Sequence, residues 1–107
     1  MTARALINVP KTAKRGEVVE VKAMIAHPME TGYRVGPNGA NIPRDIIRRF
    51  TCTYDGEEVF SADLFPAVSA NPFIAFTLVA TTSGIVEFAW TDDGGKTQTA
   101  SAEIAVS

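Results

Sequence analysis

The stretch RRFTCTYDGEEVFSAD, residues 48–63, decides the fold. Its first half alternates. Phe50, Cys52 and Tyr54 fall on one side of an extended chain, with Arg49, Thr51 and Thr53 on the other. A period of two carried by aromatic and β-branched residues predicts a half-buried strand. Asp55-Gly56 follows at once, and the chain then runs back through residues 57–65. An Asp-Gly pair between two such runs supplies the positive φ angles of a tight hairpin. The segment therefore predicts two antiparallel neighbours, 44–54 and 57–65.

The same pattern extends outward in both directions. In residues 17–26, Val19, Val21, Ala23 and Ile25 oppose Glu20, Lys22 and Met24. In residues 85–91, Val86, Phe88 and Trp90 share a face. Asp92-Asp93-Gly94-Gly95 reads as a hairpin tip. It leads into residues 97–106, where Ala100, Ala102, Ile104 and Val106 alternate with Ser101 and Glu103. Residues 4–9, closed by Pro10, and residues 73–80, closed by a Thr-Thr-Ser-Gly turn, complete seven strands. Turn signals at this spacing predict an all-β, immunoglobulin-like antiparallel β-sandwich of about seven strands. A small barrel is the alternative, and Trp90 does not choose between them, because a single cysteine leaves no disulfide pair for it to pack on. The 107 residues fit one domain, 1–107.

Composition agrees with the pattern. Thr 11, Val 10 and Ile 8 stand against three Leu and three Met, a balance that suits a pleated surface better than helices. The net charge of −2 gives no basic surplus for phosphates, so no nucleic-acid partner is expected. One cysteine, Cys52, excludes an internal disulfide and a multi-thiolate metal site; one histidine, His27, excludes a two-histidine motif. No cofactor and no metal are expected. Residues 64–86 carry no charge over 23 positions, the length of a membrane span, yet Pro66, Asn71 and Pro72 break the run. Two strands and a loop explain it better, so no membrane segment is expected. The opening residues 1–10 hold Arg4 and too short an apolar stretch for a secretory leader.

Candidate chemistry is sparse. Cys52 sits mid-strand in phase with Phe50 and Tyr54, which favours a buried small hydrophobe over a nucleophile. Arg48 shares its parity and would bring a cation to that face if the thiol were reactive. A Cys52–His27 dyad, or a site built from His27, Met29 and Glu30, would need groups distant in sequence to meet. Arg44, Arg48 and Arg49 around Asp45 read as strand-edge charges rather than an anion site. Two features point to a protein partner. Residues 27–43 form the longest irregular segment, rich in Gly and Pro, with GPNGAN at 36–41 as a turn; long loops of this kind are often functional. The region 60–76 carries Phe60, Leu64, Phe65, Val68, Phe73, Ile74 and Phe76, so opposite strand faces are both apolar. A two-sheet core needs only one, and the surplus implies a second chain.

Longer motifs carry a resemblance. VPKTAKRGE at 9–17, HPMETG at 27–32, IPRDIIRRFTC at 42–52, GEEVFSADLFPAVSANPF at 56–73 and WTDDGG at 90–95 together resemble the SoxZ family over nearly the whole chain. The resemblance implies an immunoglobulin-like sandwich that is not an enzyme. It also implies a tight heterodimer with SoxY, whose C-terminal glycine-rich arm bears the cysteine that carries sulfur intermediates of thiosulfate oxidation. The Sox enzymes would act on that arm through the complex. ASAEIAVS at 100–107 contains no such arm, as expected of the Z subunit. A periplasmic location follows, with export alongside a signal-bearing partner. The partner surface is expected at His27, Met29, Glu30 and Arg44 of the long loop and at Phe65, Phe73 and Phe76. The competing reading is a generic immunoglobulin-like adhesion or chaperone module that binds proteins by strand addition.

Overall fold

The structure is a computed structural model that describes residues 4–107; the first three residues of the segment read for a leader lie outside them. Among the described residues eight strands follow in order: β1 (Ala5–Asn8), β2 (Thr12–Ala13), β3 (Val18–Ile25), β4 (Ile47–Tyr54), β5 (Glu57–Asp63), β6 (Phe73–Val79), β7 (Gly84–Asp92) and β8 (Thr97–Val106). They form an immunoglobulin-like sandwich. One sheet is ordered β1-β3-β6 and the other β2-β8-β7-β4-β5. The strand beyond the expected seven is β2, a two-residue piece that pairs in parallel with the end of β8.

The Asp55-Gly56 turn forms as expected. Both residues have positive φ, 53° and 80°, and β4 pairs antiparallel with β5 from Tyr54↔Glu57 onward. A register shift between Cys52 and Thr53 leaves Val59 as the extra residue of β5. A second irregularity corrects the sequence reading of β4. The strand begins at Ile47 rather than Arg44, and its register on β7 shifts between Ile47 and Arg49. Such a bulge re-aims side chains locally. Ile46 and Ile47 are consequently both buried, while Arg48, which strict alternation placed on the Cys52 face, is exposed.

The core lies between the sheets. Val19, Val21, Ala23 and Ile25 point into it from β3, and Phe50, Cys52 and Tyr54 from β4, as their alternation requires. Phe50 is the hub, with ring centroids 5.4 Å from Trp90, 6.1 Å from Phe88 and 6.0 Å from Phe60. Phe60 of β5 and Phe76 of β6 stack at 4.4 Å and close one side of the sandwich. The uncharged run 64–86 is a loop, β6, a turn and the start of β7; among the described residues no helix is long and apolar enough to cross a membrane.

Candidate partner-binding end of the sandwich

Strand direction gathers three connections at one end. There β3 stops at Ile25 and β4 starts at Ile47. At the same end β5 stops at Asp63 and β6 starts at Phe73, while β7 stops at Asp92 and β8 starts at Thr97. The segments 26–46, 64–72 and 93–96 therefore share this end.

Residues 27–43 are less irregular than the sequence suggested. Glu30 and Asp45 exchange backbone hydrogen bonds of 2.8 and 2.9 Å, Ile42 N–H donates to Arg34 O at 2.8 Å, and Val35 bridges to Asn41. The segment is an open two-stranded arm with its tip at 36–40. Gly32 permits the fold-back: its φ is +89°, and a Cβ there would lie 3.0 Å from the Arg44 Cβ. The Glu30 carboxylate pairs with Arg34 at 2.6 Å, and that hydrogen bond holds it below the ordinary glutamate value.

Three anchors fix the base of the arm. His27 exchanges bonds with Asn71 of the 64–72 loop: its N–H donates to Asn71 Oδ1 at 3.0 Å, and Asn71 N–H donates to its carbonyl at 2.8 Å. His27 Nδ1 accepts the Met29 N–H at 2.9 Å, which puts the neutral ring's hydrogen on Nε2, 3.8 Å from Asp45 Oδ1. Met29 then turns inward with φ 52°, and its Sδ accepts the Ile47 N–H at 3.3 Å. The third anchor is Arg44. Its guanidinium grips Asp93 through Nε–Oδ2 at 2.8 Å and Nη2–Oδ1 at 2.9 Å, while Asp93 Oδ2 also accepts the Ile46 N–H at 3.2 Å. Arg44, first among the causes, holds Asp93 below the ordinary aspartate value.

These contacts revise several sequence readings. Met29 is 4% exposed and belongs to the core, so the surface expected of it is corrected to an anchoring role; its unbranched thioether fills the space beneath the arm. Arg44, Arg48 and Arg49 are not loose edge charges: they bond Asp93, the Asp92 carbonyl and Asp63. Asp93 is more than a hairpin tip. No Cys52–His27 dyad forms. Cys52 lies in the core between its register partners Phe60 and Phe88, and burial pushes its thiol up to about 11. Among the described residues no group of three or more His, Cys, Asp or Glu is placed to hold a metal ion.

Of the residues named from sequence, His27, Met29, Glu30 and Arg44 meet at the base of the arm. Phe65 and Phe73 lie at the same end, 64% and 60% exposed. Phe76 does not join them; it pairs with Val21 and stacks on Phe60 along the side of the sandwich. Two exposed apolar side chains of the arm, Tyr33 and Val35, went unnoticed because nothing in a Gly-rich loop sequence tells which way a side chain points.

A search of curated proteins finds no match. Solved structures share the sandwich. Superoxide reductase (neelaredoxin) from Ignicoccus hospitalis superposes with a TM-score of 0.76 at 19% identity, covering 98% of this chain and 82% of that one. A putative superoxide reductase from Thermotoga maritima gives 0.74 at 18% identity, covering 96% and 85%. The sulfur carrier protein SoxY from Chlorobium limicola f thiosulfatophilum gives 0.67 at 18% identity, covering 96% and 78%. At these identities the likeness is one of fold. The family model for sulphur oxidation protein SoxZ matches residues 7–103, nearly the whole length, and the chain belongs to the SoxZ family.

Proposed function

We propose that this chain is the non-catalytic subunit of a SoxYZ carrier complex: it pairs with SoxY and presents that subunit's sulfur-bearing cysteine arm to the Sox enzymes of thiosulfate oxidation. The observation that carries the reading is the family match over residues 7–103. The local chemistry is compatible with it. The chain's own thiol is sealed in the core and held protonated, the opposite of what a sulfur carrier needs. The arm, with Tyr33 80% exposed, and the adjacent Phe65 and Phe73 offer apolar surface at one end, which suits a protein partner. His27, Glu30 and Arg44 hold the arm in place, and Met29 anchors it from beneath. On this reading the complex works in the periplasm.

The test is reconstitution. SoxY is expressed with and without a tagged copy of this chain and then supplied with thiosulfate and the Sox enzymes. Sulfate release is expected only from the pair, with mass spectrometry finding sulfur adducts on SoxY and none on Cys52. Equal turnover by SoxY alone, or an adduct on Cys52, overturns the reading.

A further inference from the structure

The sandwich has an unguarded strand edge, and we propose that it is where the partner subunit's sheet joins: β6 pairs through its free edge with an edge strand of SoxY. The inference rests on the SoxY pairing proposed above and adds where and how the two chains meet.

Strand β6 lies at the end of its sheet with β3 as its neighbour. Ile25 N–H bonds the Pro72 carbonyl and Ala80 N–H bonds the Glu17 carbonyl, so even-numbered residues of β6 turn their backbone groups toward β3. By the alternation of an antiparallel ladder, Phe73, Ala75, Thr77 and Val79 turn their N–H and C=O groups outward. Among the described residues no strand pairs with that side.

Natural edges are normally blunted by charge, proline, bulges or shortness. The other edges of this fold follow the rule. The β5 edge carries Glu57, Glu58 and Asp63 and the extra residue Val59. The β1 edge has only four residues. The β8 edge is partly taken by β2 and turns out Thr97, Thr99, Ser101 and Glu103. Strand β6, FIAFTLV, has seven residues with no charge, proline or bulge. Phe73 and Val79 at its two ends are 60% and 50% exposed. Beside it the seam toward β5 stays open. Phe60 and Phe76 are only partly covered, and a groove of about 450 Å³ runs along Thr77, Leu78 and Val79 to Val59 and Tyr54, with Asp55 and Glu57 at its far end.

Outward backbone donors and acceptors are a template for another extended backbone, and the Phe60–Phe76 seam favours apolar side chains on the strand that supplies it. An edge this apolar needs a lasting occupant. A SoxY structure shares this sandwich fold over 96% of the present chain, so the partner also presents sheet edges of its own. Two such sheets joined edge to edge form one continuous sheet across the heterodimer.

The experiment uses the full chain with purified SoxY. Amide exchange is followed on the chain alone and on the pair. Protection is expected to rise at Phe73, Ala75, Thr77 and Val79 and to stay unchanged at Ile74, Phe76 and Leu78, whose N–H groups already bond β3. Thr77→Pro removes one outward donor without touching the β3 ladder and is expected to weaken SoxY binding about 10- to 100-fold. Thr99→Pro, which removes an outward donor from β8, is expected to leave binding unchanged. If the unsubstituted chain does not bind SoxY, the pairing itself fails. If it binds with no odd-numbered gain in protection, the edge proposal fails and the pairing stands. A homodimer of the chain alone with β6 protected makes a second copy the occupant and also overturns the proposal.

Discussion

Arg44 and Asp93, 49 positions apart, form a two-pronged ion pair at 2.8 and 2.9 Å that locks the base of the arm to the turn between β7 and β8. Asp93 does more than its partner, because the oxygen that receives Arg44 Nε also receives the Ile46 N–H. Bidentate geometry fixes direction as well as distance. Asp93→Ala, which removes both acceptor oxygens, is therefore expected to loosen the arm more than Arg44→Ala, seen as faster amide exchange at Ile46 and Asp45 with the core strands unaffected.

The same pair makes part of the stability depend on acid. The folded-state pKa of Asp93 lies below its ordinary value of 3.8. Its contribution is full above the unfolded value and is lost as pH falls through the folded one. Denaturant midpoints between pH 6 and pH 3 should fall more steeply for the natural chain than for Asp93→Asn. Parallel curves would contradict this.

His27 is expected to act through Met29. In His27→Ala the Met29 N–H loses its acceptor at a largely enclosed site, at a cost of about 1–3 kcal/mol. His27→Asn restores an acceptor at similar reach and should recover much of it. Unfolding free energies of the two variants check this, with exchange at the Met29 amide as the local readout.

Cys52 is predicted to be inert while the chain is folded. A thiol raised to about 11 and enclosed by Phe50, Phe60 and Phe88 presents almost no thiolate at neutral pH. Iodoacetamide at pH 7.5 should label it only in denaturant. Cys52→Ser buries a hydroxyl in its place and is expected to cost about 1–3 kcal/mol.

Phe50 packs on Phe60, Phe76, Phe88 and Trp90. Phe50→Ala should cost about 3–5 kcal/mol by opening a cavity between the sheets. Against a typical total of about 5–15 kcal/mol, that is a large share. Urea unfolding measures it directly.

Much of this fold is legible in the sequence where side chains alternate and turns announce themselves. Asp55-Gly56 and the runs through Val21, Cys52 and Phe88 needed no tertiary knowledge, because strand faces and hairpin turns are local properties. The site was less legible. That His27, Glu30 and Arg44 lie together was suggested by their shared loop. That the loop is a laddered arm depends on backbone bonds such as Glu30 to Asp45, which any residue types could make. The role of Asp93 was hidden because Asp-Asp-Gly-Gly already had a sufficient local explanation as a turn. Arg48 misled for a physical reason: a bulge at Ile47 reverses parity, and no residue type in that stretch demands one. The clustering of Phe65 and Phe73 with the arm follows from strand direction, which sequence alone does not fix. The free edge of β6 became visible only once the strand order was known.

The most direct test of the partner-subunit reading is the affinity of this chain for SoxY. Purified chain and SoxY are titrated and followed by sedimentation and native mass spectrometry. A stable one-to-one complex is expected, surviving dilution to about nanomolar concentration, the range of a lasting subunit interface. Two species that sediment independently at micromolar concentration would contradict it.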